Sequence, residues 1–353
     1  MTPSDTPPSQ LDAPRADAAP AAVHGARAYP PDPRLRNTLV LLGVTALPLV
    51  LLHGDPYWVN VLAYTYLFAG LASAWNIIGG FGGQFSLGHG VFFGVGAYTV
   101  ARLYLGAGVT PWLGLVPAAI GCAALAALVS WPTFRLKGPF FAIATMAINE
   151  VCFALANYFD SVTGGPRGLT IPYRASLSNM IFAERWKYAL LMFVFMALVV
   201  LVAVALQRSR LGYSLLAVRE DEDAARAAGI DVLSVKLRGM ALSAALTAVG
   251  GGLFAMYVRI IDPPSLFTLP EVGAKFALLA LIGGVGTVTG PVVGAFLVVP
   301  LENWLRGAFG GLTPGAHLIV LGLLMVAASL FMKRGLVGAW QSLMRARRAR
   351  GRP

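Results

Sequence analysis

From residue 38 onward the chain alternates between long apolar runs and short polar or glycine-bearing interruptions, with almost no charge inside the runs. Ten runs can be drawn, roughly 38–53, 57–80, 89–106, 112–131, 139–159, 187–206, 239–260, 272–287, 288–304 and 316–332. Most approach the ~17–25 residues a helix needs to cross the hydrocarbon core, while the first, eighth and ninth fall short. A chain in lipid must satisfy its backbone polar groups internally, so the pattern predicts an all-α polytopic membrane protein of about ten transmembrane helices.

Two interruptions are glycine breaks. Gly79–Gly90 reads GGFGGQFSLGHG and holds Gly82, Gly83, Ser86 and His89; Gly283–Gly294 reads GGVGTVTGPVVG and holds Gly284 and Gly286. Both open Gly-Gly-x-Gly and reach a Gly-Ala-aromatic triplet, Gly96-Ala97-Tyr98 and Gly294-Ala295-Phe296. Matched breaks in two halves mark a translocation pathway when unwound backbone lines a cavity, and are otherwise close-packed turns. On the residues alone both readings stand.

The third interruption is a polar island, Gln207 to Arg238, with six Lys/Arg and five Asp/Glu. So much charge must lie in water. Its centre, Arg219–Gly229, reads as one short helix: Glu220, Asp221, Glu222 and Asp223 at the positive end, then Ala224, Ala225, Arg226 and further alanines, and Gly229 as the stop. A compact charged helix between membrane spans is suited to a soluble partner.

Composition sharpens the class. Charged residues are 12% of the 353, about half the ~25% usual in soluble domains, and the mean hydropathy is +0.70. The net charge of +11 does not point to nucleic acid, because the bases sit in tails and in loops beside apolar runs. With the island placed in the cytoplasm, inner regions hold 19 of the 27 Lys/Arg and outer regions six, which puts both termini inside. Residues 1–36 are Pro/Ala-rich without an apolar core and read as a disordered tail and not a signal peptide. The expected organisation is that tail, a permease-like membrane domain over 37–334 with the loop 207–238, and a basic tail over 335–353.

Charge within the spans is costly and therefore informative. Glu271 and Lys275, and Glu302 and Arg306, are spaced as helical pairs; Arg102 lies near a span end and can snorkel. Glu150 has no cation one turn away and sits midway along the fifth run beside Asn149. It either lines a polar pathway or is a hydrogen-bonded structural carboxylate. Asn76, Ser86 and His89 are similarly divided between facing a solute and local satisfaction. Cys122 and Cys152 read as small buried hydrophobes. There is no P-loop, HExxH or GxSxG motif, so no enzyme activity and no bound cofactor or metal is expected. A transporter of this kind draws on an ion gradient, for which Glu150 is the candidate ligand, or on a partner.

The segment Asp223-Ala-Ala-Arg-Ala-Ala-Gly229 resembles the EAA-x-x-x-G signature of ABC importer permeases, with Asp for Glu and with Gly239–Leu242 where the longer pattern has I-x-L-P. Six pieces in order extend the likeness: WNIIGGFGGQFSLGHGVFFGVGAY (75–98), RLKGPFFAIATMAINEV (135–151), TGGPRGL (163–169), the island's SRLGYSLLAVREDEDAARAAGIDVLSVKL (209–237), GGVGTVTGPVVGA (283–295) and RGLVG (334–338). The chain thus resembles the LivM-type permeases of branched-chain amino-acid ABC importers over about 38–338. The resemblance implies a bacterial inner-membrane subunit that pairs with a sister LivH-type permease. It also implies two ATPase subunits carrying ATP and Mg beneath it, and a periplasmic solute-binding protein above. It makes the island a coupling helix (Arg219, Glu222, Asp223, Ala224, Ala225, Arg226, Gly229) and puts Thr163, Gly164, Gly165 and Pro166 on an outer loop. Relatives of the same build are assigned to urea and short amides, so the substrate stays open at this point.

Overall fold

The computed structural model describes residues 33–309, residue 137 excepted, and scattered positions between 319 and 338. Most of the expected tenth span and of both tails lies outside the described residues. Helix α1 (Pro33–Leu51) begins within the expected N-terminal tail. Helix α2 (Pro56–Asn76) runs on through a π-helical turn, Ile77–Phe81, and α3 follows after the glycine break as His89–Ala107. Next come α4 (Pro111–Thr133), α5 (Pro139–Tyr158), the single turn α6 (Asp160–Thr163), strand β1 (Leu169–Thr170) and α7 (Arg185–Gln207). The island forms α8 (Arg210–Glu220) and α9 (Glu222–Ala227), and α10 is Val232–Val258. Strand β2 (Ile260–Ile261), α11 (Pro263–Phe267), a π-helical turn Leu269–Gly273, α12 (Ala274–Gly283) and α13 (Gly290–Phe309) complete the described chain.

Among the described residues six helices are long and apolar enough to cross a membrane: α2 with its π turn, α3, α4, α5, α7 and α10. They correspond to six of the ten expected runs. The region 260–309 departs most from the pattern. The backbone leaves α10 at Arg259, which adopts a left-handed φ of 63°, and turns back at Pro263-Pro264. It then descends beside α3, where Phe267 stacks on Tyr98 with centroids 6.4 Å apart. Only then does α12 start, and its ten residues span about 15 Å, half of a ~30 Å hydrocarbon core. Lys275 lies 4.3 Å above the ring of Phe68, which is halfway along α2, so α12 begins at mid-depth.

Buried α2 is the hub, packed by α7, α13, α12 and α10, and α10 also packs on α3 and α4. Small residues let these backbones approach. A Cβ on Gly251 would stand 2.0 Å from the Phe93 carbonyl oxygen, and one on Gly96 would stand 2.3 Å from that of Ala248. The α3–α10 seam therefore admits no side chain at either position. By contrast α5 is peripheral, with only Phe141, Thr145, Asn149 and Ala156 buried.

Three expectations need correcting. The helix expected as one piece over Arg219–Gly229 is two. Asp221 is extended (φ −158°, ψ 115°), and its carboxylate accepts from the amides of Asp223 and Ala224 at 2.8 and 2.9 Å. An aspartate that caps well breaks a helix it would otherwise continue. The island's last residues, from Val232, are the first turns of α10 and not loop. Likewise Lys275 turns to Glu302 on α13, at 2.6 Å, so the pairing expected with Glu271 gives way to a contact between helices; the Glu302–Arg306 pair forms as expected at 3.1 Å.

Candidate coupling site

At one end of the bundle the island, both glycine breaks and the starts of α5 and α10 converge. Ser209 caps α8 through the Gly212 amide at 3.1 Å, and Asp231 caps α10 through the Ser234 amide at 3.2 Å. The two caps fix where the island leaves the bundle and where it returns. Leu215 and Val218 bury one face of α8, and α9 buries Ala225. Gly229, at a left-handed φ of 85°, turns the chain back so that the Ile230 amide reaches the Ala225 carbonyl at 3.0 Å.

What remains exposed on α9 is a face of small residues, Ala224, Ala227 and Ala228, flanked by Asp223 and Arg226 paired at 2.9 Å. The site residues divide accordingly. Asp223, Ala224 and Arg226 face outward, whereas Ala225 packs into the chain itself.

Two side chains carry this surface into the bundle. Glu222 forms an ion pair with Lys236 of α10, whose side chain is buried and lies 5.7 Å from the Phe134 ring at the end of α4. Glu222 also receives Gln84 Nε2 of the first break at 3.4 Å. Arg219, on α8, donates to the Gly80 carbonyl at 2.9 Å and runs along Gly83, where a Cβ would stand 2.9 Å from its Cγ. Its Nη1 occupies the space a Cβ on Gly286 would need, at 2.3 Å.

The two breaks also grip each other. Asn76, buried, donates to the Thr287 carbonyl at 2.9 Å and accepts from the Gly286 amide at 2.8 Å. A Cβ on Gly80 would stand 1.9 Å from Asn76 Oδ1. Left-handed φ values at Gly83 (68°), Gly286 (77°) and Gly284 (131°) permit these turns. Gly283 passes so close to Gly290 that a Cβ would meet its carbonyl oxygen at 1.7 Å, and Gly335 seats its backbone on Gly284. Gly82 is buried and continues the π turn through its amide to Ile77 O at 3.3 Å.

Deeper in, His89 is wholly buried with both ring nitrogens engaged. Nδ1 lies 3.1 Å from Ser86 Oγ, and Nε2 lies 2.9 Å from Ser243 Oγ, which itself donates to the Ala74 carbonyl at 2.7 Å. The consistent assignment is a neutral imidazole that donates from Nε2 and accepts at Nδ1. Ser86 and His89 thus bind the first break to α2 and α10. Asn149 is buried and donates to the Phe267 carbonyl at 2.7 Å, tying α5 to α11 against Gly90. Glu150, next to it, is on the exposed side of α5, and among the described residues it has no ion-pair or hydrogen-bond partner.

Comparison with known proteins decides the class. The family described as branched-chain amino acid transport system / permease component matches residues 57–329. The chain belongs to this family. It is similar to the high-affinity branched-chain amino acid transport system permease protein LivM of Escherichia coli K12, 30% identical over 302 residues, 79% of this chain and 69% of that protein. It is also similar to the LivH permease protein of Salmonella typhimurium, at 24% over 287 residues, covering 77% and 91%. To the L-arabinose permease protein AraH of E. coli K12 it is 26% identical over 138 residues, covering 38% and 42%. No solved structure matches.

At the opposite end of this permease, Thr163 is buried and holds the Ala156 and Phe159 carbonyls, the latter at 2.7 Å, while Gly164, Gly165 and Gly168 all take left-handed φ. The turn is locked to the α10–α11 connection by β1–β2, Leu169 opposite Ile261, which leaves Pro166 exposed. Arg102 supports the same turn by donating to the Ser161 carbonyl at 2.7 Å. Nearby, the Lys187 hydrogen bond holds the Glu184 carboxyl below the usual carboxylate range. Among the described residues no group of three or more His, Cys, Asp or Glu is placed to hold a metal. Sequence reasoning missed Lys236, Ser243, Thr287 and Gln84; all are polar residues whose partners are distant in the chain, which no local spacing reveals.

Proposed function

We propose that this chain is one of two permease subunits of an ATP-driven importer in a bacterial inner membrane, taking branched-chain amino acids inward. The exposed alanine face of α9 is the seat for a cytoplasmic ATPase subunit that carries ATP and Mg. A sister LivH-type permease completes the pathway, and a periplasmic solute-binding protein delivers solute near Pro166. The observation that carries the reading is the Arg219 link: one guanidinium joins the island to both glycine breaks at once. Movement of the island, α8 with α9, is therefore passed to α2, α3, α12 and α13 through hydrogen bonds and backbone contacts and not through a flexible loop. Small side chains seat closely in a groove, and the Asp223–Arg226 pair at its edge sets register.

Glu150 belongs to the same reading. A carboxylate left exposed midway along a span is tolerated where it meets water or a partner, so this face of α5 is turned to the pathway shared with the sister subunit. Glu150→Gln is expected to lower uptake severalfold with unchanged membrane accumulation; unchanged uptake would remove Glu150 from the pathway.

Reconstitution tests the whole. The chain, its sister permease, the ATPases and the binding protein in proteoliposomes should accumulate leucine, isoleucine or valine only when ATP is hydrolysed. Uptake by the chain alone on a proton or sodium gradient, or uptake restricted to urea, would contradict the proposal.

A further inference from the structure

Away from the island, a cleft enters the bundle between α2, α10, α12 and α13. It consists of two adjoining cavities, of about 390 and 290 Å³, that share Asn60 and Tyr64. The outer cavity is walled by Tyr173, Arg185 and Arg259, with the Arg259 guanidinium 5.0 Å from the Tyr173 ring. At the neck, Tyr257 donates its hydroxyl to Asn60 Oδ1. The inner cavity reaches Lys275, Glu302 and Arg306.

This charge is unusual in its placing. Lys275 and Glu302 are buried, at the depth of Phe68, and Glu302 meets two cations, Lys275 Nζ at 2.6 Å and Arg306 at 3.1 Å. Glu271, which also lines the cavity, supplies a second carboxylate on its exposed side. The same cavity has apolar walls, the rings of Phe68, Phe93 and Phe254 with Val299. Holding α12 to α13 would need one ion pair. It would not need two cations, two carboxylates and an open cavity with aromatic sides.

We infer that this cleft is a binding site within the permease for one small aliphatic zwitterion. The ligand's carboxylate lies against Lys275 and Arg306, its ammonium against Glu302 and Glu271, and its branched side chain against the phenylalanine wall. This inference rests on the transport reading above and gives that reading a solute site inside a single subunit. The physical case is desolvation. A zwitterion entering the bilayer loses hydration on both charges, and a preformed site offering both signs at fixed positions replaces that hydration. The aromatic wall adds area for an aliphatic side chain, so a solute lacking either feature gains less.

The test is equilibrium binding of radiolabelled L-leucine to the full chain assembled with its sister permease in nanodiscs, with no binding protein present. Saturable binding is expected, competed by isoleucine and valine but not by N-acetyl-leucine or leucine amide. Arg306→Gln, at an exposed side chain that folding tolerates, should weaken it on the order of 10-fold, and Arg306→Lys should restore most of it, about 1.4 kcal/mol per decade. Val299→Phe, which fills the cavity without touching an ion pair, should weaken it as much. No saturable binding, or binding in Arg306→Gln and Val299→Phe as strong as in the unaltered chain, would overturn the assignment. Leucine uptake by the complete importer, measured alongside, scores the transport reading separately: intact uptake without binding defeats only the cleft.

Discussion

Replacing Arg219 with glutamine is expected to uncouple the importer. ATP hydrolysis by the assembled complex should continue, because α9 and its exposed alanine face keep their cap at Asp221 and their tie from Glu222 to Lys236. Uptake should fall by about 10-fold or more, since a charge-assisted hydrogen bond of this kind contributes ~1.5–3 kcal/mol and here it joins moving parts. The loss is specific to one geometry. The same Nη1 reaches Gly80 O at 2.9 Å and fills the space beside Gly286, and the shorter, uncharged glutamine cannot do both. Hydrolysis and uptake measured on the same proteoliposomes check it. If both activities fall together, Arg219 serves assembly and does not transmit movement.

The second large effect is expected in the seam between α3 and α10. Gly251→Val places a branched side chain where even a Cβ would lie 2.0 Å from the Phe93 carbonyl oxygen. The obstruction is backbone and cannot rotate away, so the helices must separate. The cost should reach or exceed the upper end of the ~1–3 kcal/mol typical of overpacking, enough to prevent accumulation of folded protein. Gly121→Val is the matched control, because nothing lies within 4 Å of a Cβ there. Folded yield by fluorescence-detected gel filtration compares the two. Equal yields would mean that the α3–α10 seam opens freely.

Much of this was readable along the chain, and the parts that were not share a cause. The long spans were legible because hydropathy over about 20 residues is a property of one segment. The island was legible because so much charge can only lie in water. Its division into α8 and α9 was hidden, because Asp221 satisfies both a helix interior and a cap until the amides of Asp223 and Ala224 are seen to turn toward it. The half-length α12 was hidden too. Residues 272–287 are apolar enough to suggest a span, and only the descent of 260–273 beside α3 shows that the helix starts at mid-depth. The matched glycine breaks were visible as a repeat, but their mutual grip through Asn76 joins positions about 210 residues apart. Ala225 is the plainest case of a motif position whose orientation only its neighbours show. The resemblance counts it within the coupling helix without saying which way it faces, and the structure turns it inward against the chain itself.

Coupling of this kind requires the alanine face of α9 to meet an ATPase subunit in the cytoplasm. Its most direct test is the substitution Ala227→Cys, in a chain whose Cys122 and Cys152 are replaced, cross-linked within the assembled importer. The account predicts a cross-link to the ATPase subunit whose yield changes between nucleotide-free and ATP-bound states. An introduced thiol that is labelled only by reagents added from the periplasmic side, with no such cross-link, would contradict it.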